Sequence, residues 1–263
     1  MADILATILL GIIEGITEFL PVSSTGHLLI AEHWLGARSE TFNVVIQAGA
    51  ILAVTLIYRE RLWQLATSLR SAPTRDYVAK LAVAFLITAV LGFVVTRLGF
   101  KLPETITPVA WALLVGGVWM VAAELFAARR AERAHVTWTV AILVGLAQIV
   151  AAIFPGTSRS AATIFVALLG GTNNRPAATE FAFLVGIPTM FAASGYELLK
   201  AMKAGEGHED WDALVLGFIV SMIVAFIAVK WLLGFIRTHR FTPFALYRIV
   251  LGAALLLLMP AGA

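Results

Sequence analysis

Charge-free apolar runs of near-membrane length recur along this chain: Thr41–Tyr58, Leu81–Thr96, Thr105–Ala123, Phe181–Tyr196, Ala213–Val229 and Ile249–Ala263. The last lies inside an apolar region that opens near Phe244. A bilayer core needs about 20 apolar residues in helical form, and a helix satisfies its own backbone where water is absent. These six runs read as full crossings. The 263 residues are 60% hydrophobic and 13% charged, with a mean hydropathy of +0.91, whereas soluble domains carry roughly 25% charged residues. Disulfide scaffolds, disordered chains and ordinary cytosolic enzymes are excluded, and an all-α polytopic membrane protein is expected. Trp63, Tyr77, Trp111, Trp211 and Trp231 fall near run ends, where amphipathic rings favour the headgroup zone.

A net charge of +3 with pI near 9.4 does not imply nucleic acid, because Lys and Arg sit mostly in short loops between apolar runs, as cytoplasmic anchoring requires. The chain has no Cys, which removes disulfides, thiolate catalysis and Cys-ligated metals. Residues 1–19 do not read as a cleaved leader. They lack a basic start and a small-residue cleavage site, and carry Glu14 and Glu18 within the apolar run.

Two regions break the pattern. Ile4–Leu20 stops at Pro21 and the polar cluster Ser23-Ser24-Thr25-Gly26-His27, followed by a short apolar piece, Leu28–Leu35. Val136–Phe154 stops at Pro155-Gly156-Thr157-Ser158-Arg159-Ser160, followed by Ala161–Gly170. Each reads as a helix, a break at membrane depth and a half-helix. Irregular backbone is tolerated at that depth only when buried in protein or lining a wet cavity, so both breaks point to one shared cavity.

Basic residues set direction. Arg59, Arg61, Arg70, Arg75 and Lys80 follow the first crossing, Arg129, Arg130 and Arg133 the third, and Arg237 and Arg240 the fifth. The alternate loops hold only Arg97 and Lys101, or Lys200 and Lys203 outnumbered by Glu206, Glu209, Asp210 and Asp212. The first set is placed in the cytoplasm. The alternation survives only if each broken region enters and leaves on one side, Ile4–Leu35 outside and Val136–Gly170 inside. The expected architecture is six transmembrane helices plus two re-entrant helical hairpins arranged as an inverted-topology repeat, residues 1–131 and 132–263, within one membrane domain. Gly11, Glu14 and Pro21 match Gly145, Gln148 and Pro155 in spacing, and such repeats place their site near the midplane where broken helices meet.

Glu14 and Glu18 lie four residues apart and share a helix face. A carboxylate at membrane depth costs at least roughly 2.5–3.5 kcal/mol, so the pair needs a cation, a shared proton or water. Arg159 keeps its charge and offers a planar fork suited to phosphate, helped by half-helix amides. An ion pair between Arg159 and Glu14 or Glu18 is the structural alternative. Ser23, Ser24, Thr25, Thr157, Ser158 and Ser160 either bind phosphate or cap helix ends. His27 serves as acid–base, metal ligand or satisfied interior His; His33, His135, His208 and His239 lie near span ends or in loops. Gly116-Gly117 and Gly170-Gly171 read as close helix packing. No Walker, dinucleotide or His-Glu-x-x-His motif occurs. The ligand expected from this set is anionic at one end and greasy at the other, a phosphorylated or diphosphorylated lipid. The rival reading is a flippase or secondary transporter for such a lipid, since broken inverted repeats are transporter architecture.

The segments Gly11–His27 and Pro155–Ser160 closely resemble the two motifs of the bacitracin-resistance undecaprenyl pyrophosphate phosphatases, and Phe42–Gln47 and Glu180–Leu184 extend the resemblance along the chain. Ala161, where the family usually has Gly, and Thr172-Asn173-Asn174-Arg175 depart from it. The resemblance implies hydrolysis of undecaprenyl diphosphate to the monophosphate, recycling the carrier for peptidoglycan synthesis. It also implies a multi-pass bacterial inner-membrane protein whose site opens to the periplasm, with Glu14, Glu18, Ser24, His27 and Arg159 at functional positions. A divalent cation, Mg or Ca, is implied as cofactor, with Glu14 and Glu18 as its expected ligands. Expected partners are the polyprenyl diphosphate, the bilayer and, as an option, a second copy in a homodimer. In the expected chemistry Arg159 and amides hold the diphosphate, and Ser24 or a water attacks. His27 or Glu18 takes the proton, and Glu14 orients that base or helps hold the cation.

Overall fold

A computed structural model of the chain describes residues 2–99, 105–204 and 210–258. Lys101, Glu206, His208, Glu209 and the 259–263 end of the last expected crossing lie outside the described residues. Eleven helices follow in order among those described: α1 (Ala2–Thr17), α2 (Ser24–Leu35), α3 (Glu40–Ile57), α4 (Arg59–Thr67), α5 (Ala72–Arg97) and α6 (Ile106–Ala127). Then come α7 (Trp138–Ile153), α8 (Arg159–Gly170), α9 (Arg175–Ala204), α10 (Trp211–Phe235) and α11 (Thr242–Leu258). Five of them (α3, α5, α6, α9 and α10) are long and apolar enough to cross a membrane, while α7, α8 and α11 are shorter apolar helices. Large apolar side chains face outward along the long helices, among them Leu86, Val90, Phe93, Val118, Ile223 and Ile227. An outward apolar surface on this scale belongs in hydrocarbon.

The helices extend beyond the charge-free runs where polar residues find partners. Helix α5 begins nine residues before Leu81 and carries Lys80, expected in a loop, inside the fold. Lys80 is 3% exposed, ion-paired with Asp76 one turn earlier and 5.6 Å from the Trp138 ring centroid. Tyr77, expected at the headgroup zone, instead turns inward and donates to Glu180 at 3.3 Å, beside Arg61. Of the paired glycines, Gly171 is not a packing residue: it ends α8 at φ 119°, a conformation that Gly adopts without steric cost.

Both expected breaks are present, but shorter than the polar clusters. Ser24, Thr25, Gly26 and His27 form the first turn of α2, and Arg159 and Ser160 start α8. The boundary falls where a serine supplies an N-cap: Ser23 Oγ accepts from Gly26 N and Ser158 Oγ from Ala161 N, each satisfying one of the helix's unpaired amides. Both caps have positive φ, 76° and 66°, which is uncommon for a residue with a Cβ.

Packing brings the two breaks together. Helix α1 lies against α10 and α2, and α7 against α5 and α8; α3 meets α9 and α10, and α6 meets α8 and α11. A Cβ on Gly11 would come within 3.0 Å of the Gly217 carbonyl of α10, and one on Gly145 within 2.7 Å of the Ala84 carbonyl of α5. Only a glycine permits those backbone approaches.

Candidate active site

Thr17 ends α1 by donating its hydroxyl back to the Ile13 carbonyl at 2.6 Å, and the Glu18 amide donates to the Glu14 carbonyl at 3.0 Å. The chain then turns through Phe19–Val22, all buried, with the Phe19 ring edge-on to Phe183 of α9 at 5.1 Å. This packing anchors the turn and fixes Glu18 at its start.

The Glu18 carboxylate is divided between two partners. Its Oε1 accepts from Arg159 Nη2 at 2.9 Å, and its Oε2 accepts from the Ser24 hydroxyl. The Glu18 side chain is 4% exposed, that of Arg159 27%. The ion pair expected as an alternative is therefore present, and it links two residues 141 apart in sequence. Arg159 spends one nitrogen on it, so the rest of its fork remains available to a phosphate. A serine hydroxyl that donates to a buried carboxylate has the arrangement of an activated nucleophile with its base.

Glu14 lies beneath them, 1% exposed, close enough to interact electrostatically with Glu18 and Arg159. Its Oε2 is buried without a hydrogen-bond partner. A carboxylate oxygen in that condition calls for a proton, a water or a cation. Among the described residues no group of three or more His, Cys, Asp or Glu side chains converges, so the oxygen set offered is Glu14 with Glu18. Hard cations such as Mg²⁺ are commonly held by one or two carboxylates with substrate phosphates and water completing the shell. The residues fit that role.

His27 is tied at both ring nitrogens. Nδ1 is 2.6 Å from the Ser23 carbonyl, Nε2 is 2.7 Å from the Tyr247 hydroxyl, and the His27 and Tyr247 rings stack at 5.6 Å. A carbonyl only accepts, so in the neutral ring Nδ1 carries the proton and Nε2 accepts from Tyr247. His27 thus belongs to a second network, while Ser24 is committed to Glu18.

The remaining hydroxyls divide by role. Ser23 and Ser158 cap helices, and Ser158 Oγ lies 3.1 Å from Ser160 Oγ. Ser160 donates to the Leu20 carbonyl at 2.9 Å and so fastens one broken segment to the other. Thr25 is exposed and Thr157 half-buried. First-turn amides of α2 and α8 have no intrahelical acceptor and supply positive potential at both helix starts.

Two residues at the site were not singled out from the sequence. Arg248 of α11 is fully buried and donates to the carbonyls of Thr157 (3.0 Å), Gly156 (3.0 Å) and Ala112 (3.1 Å). It braces the second loop through its backbone. Gly116 makes room for it, since a Cβ there would sit 2.4 Å from Arg248 Nη2. Tyr247, its neighbour, holds His27. The signal for Arg248 was present: a guanidinium within the apolar region from Phe244 onward, immediately before the charge-free run. The rule that singled out Arg159 applies equally to it.

The chain is similar over nearly its whole length to known proteins. A family model described as bacitracin resistance protein BacA matches residues 7–254. The undecaprenyl-diphosphatase of Rhizobium etli (strain CIAT 652) is 68% identical over 261 residues, covering 99% of this chain and 98% of that protein. The undecaprenyl-diphosphatase of Xanthomonas axonopodis pv. citri (strain 306) is 62% identical over 264 residues, covering both proteins fully.

Proposed function

The chain belongs to the bacitracin resistance protein BacA family, and from that premise we propose how its residues carry the reaction. The activity is that of an undecaprenyl-diphosphatase: the diphosphate anhydride is hydrolysed to undecaprenyl phosphate and inorganic phosphate, recycling the carrier lipid for cell-wall synthesis. The observation that carries the mechanism is the continuous Ser24–Glu18–Arg159 chain of hydrogen bonds. The terminal phosphate takes the free donors of Arg159 and the first-turn amides of α2 and α8, where charge on its equatorial oxygens is stabilised during in-line displacement. Ser24 Oγ attacks the terminal phosphorus and its proton passes to Glu18 Oε2. As the Oγ–P bond forms, the bridging P–O bond breaks, and its electron pair leaves on the lipid monophosphate. Water then displaces the phosphoryl group from Ser24. Glu18 returns its proton to Ser24 Oγ as that bond breaks, and the surplus proton of the water leaves with the inorganic phosphate, so the Glu18 carboxylate is restored. Tyr247 fixes the His27 ring, and Arg248 fixes the loop that presents Arg159. Glu14 and Glu18 would hold a divalent cation, Mg or Ca, which when bound neutralises diphosphate charge. Trapping phosphate from ³²P-labelled substrate on Ser24 tests the sequence of steps; a Ser24→Ala protein with near-normal turnover in detergent would refute it.

The same reading gives the topology: six crossings (α3, α5, α6, α9, α10, α11) and two oppositely inserted hairpins (α1–α2, α7–α8), as halves 1–131 and 132–263. It is supported by the matched glycine contacts of α1 on α10 and α7 on α5, and by the paired left-handed caps Ser23 and Ser158. The orientation of the crossings rests on the arginine distribution; the bacterial inner membrane and the opening of the site to the periplasm rest on the family membership.

A further inference from the structure

At the end of α8 opposite Arg159, a cavity of about 240 Å³ opens among the ends of α6, α8 and α9 and the loop that precedes α11. Helix α8 has 12 residues, so at a rise of 1.5 Å each this cavity lies roughly 17 Å from the catalytic loops. Its polar lining is Glu124, Arg130, Glu132, Asn173, Arg175 and Arg240. Both acids are already engaged. Glu124 accepts from Arg175 and, at 3.4 Å, from the Phe241 amide; Glu132 accepts from Asn174 at 2.6 Å. The cations are not used up. Arg175 spends Nε and Nη2 on one Glu124 oxygen, leaving Nη1. Arg130 lies over the Phe126 ring at 4.2 Å and spends Nη1 on the Leu169 carbonyl, the C-terminal end of α8. Arg240 is exposed and makes no ion pair or hydrogen bond among the described residues. Arg129, Arg133 and Arg237, all exposed, lie within three residues of the lining arginines in sequence, and segments 124–135, 168–175 and 236–243 contain no acids besides Glu124 and Glu132.

Three guanidinium groups with unspent donors thus face one concavity at the level where helix ends meet the membrane surface. Guanidinium forks match tetrahedral phosphate oxygens, and basic pockets between helix ends recognise anionic head groups. We propose that this cavity is a second, non-catalytic anion site for a phosphate group, with Arg130, Arg175 and Arg240 as its donors. The phosphate is supplied by an anionic phospholipid head group or by free inorganic phosphate. The site is independent of the hydrolytic mechanism proposed above.

The full chain, purified in neutral detergent, is titrated with phosphatidylglycerol, phosphatidylcholine or inorganic phosphate. Bound molecules are counted by native mass spectrometry and thermal midpoints recorded. The proposal expects one phosphatidylglycerol or one phosphate to bind beyond any held at the catalytic loops and to raise the midpoint, with phosphatidylcholine inert. Arg130→Gln/Arg240→Gln weakens that binding by about tenfold or more while hydrolysis in neutral micelles continues. Retention of phosphatidylglycerol that excess inorganic phosphate cannot displace assigns the site to lipid; equal binding by phosphate alone assigns it to the free anion. If the double variant does not fold, Arg240→Gln, altering an exposed side chain, carries the same test. Binding of both anions unchanged by the substitutions, or binding of neither, overturns the proposal.

Discussion

Glu18 serves two partners, and replacing it removes both contributions at once. Glu18→Gln removes the acceptor for the Ser24 proton and the counter-charge of Arg159 together. The expected loss in kcat is about 10²–10⁴-fold, the usual worth of a positioned base. Breaking a fully buried ion pair costs about 3–5 kcal/mol; with 27% of Arg159 exposed, the stability loss should fall at or below the lower figure, read as a denaturation midpoint. Tyr247→Phe is milder. It removes one hydrogen bond worth about 1 kcal/mol but frees Nε2 of His27, so it should alter the pH profile of turnover while leaving the fold intact; an unchanged profile would show that the Tyr247 contact is only structural. The pairing of Arg159 with a carboxylate of α1 or its end was legible in the sequence because a buried charge demands a partner, and only a few residues offered one. Which carboxylate would pair, and that His27 would turn to Tyr247, depended on side-chain positions across 220 residues of chain, which spacing does not encode. Arg248 was hidden by its place, one residue ahead of an apolar run.

At the scale of elements, the two short breaks depend on their serine caps. Ser23→Ala loses the cap and keeps a Cβ in the left-handed region, for an expected cost of about 1–2 kcal/mol. Ser23→Gly loses the same side chain but relieves the backbone, so its cost should be only a few tenths. Thermal midpoints of the two variants should therefore fall in the order wild type, Gly, Ala. The same order is expected at Ser158, and a Gly variant less stable than the Ala variant would show that φ at these positions is not the controlling term. The helices themselves were readable from their apolar runs, except α4, which forms in the basic segment expected as a loop. Their ends were not, because Lys80 with Asp76, and Arg159 with Glu18, allow charged residues inside helices where a count of apolar residues stops.

For the whole molecule, the proposed topology yields to labelling, since a chain without Cys accepts single cysteines as unique probes. Ala37→Cys and Ser71→Cys stand on either side of α3 and lie in exposed segments. A membrane-impermeant maleimide added to intact spheroplasts should label the first and spare the second. The reverse pattern would invert the proposed orientation, and labelling of both would deny that α3 crosses. The long apolar helices and the breaks between them could be read from composition because the bilayer penalises every unpaired polar group. The association of α1 with α10 and α7 with α5 was expressed only as a glycine spacing, whose meaning depends on the carbonyl it touches.

The pairing of Glu18 with Arg159 also bears on how such a protein is made. A chain threaded into lipid as it is synthesised delivers the carboxylate long before the guanidinium, with 140 residues between them. Glu18 must therefore wait, as an acid screened by a proton or by Ser24, until the later hairpin arrives. Once it does, the Glu18 charge is paired without any substrate aboard, and this step of biogenesis need not be timed to the supply of carrier lipid.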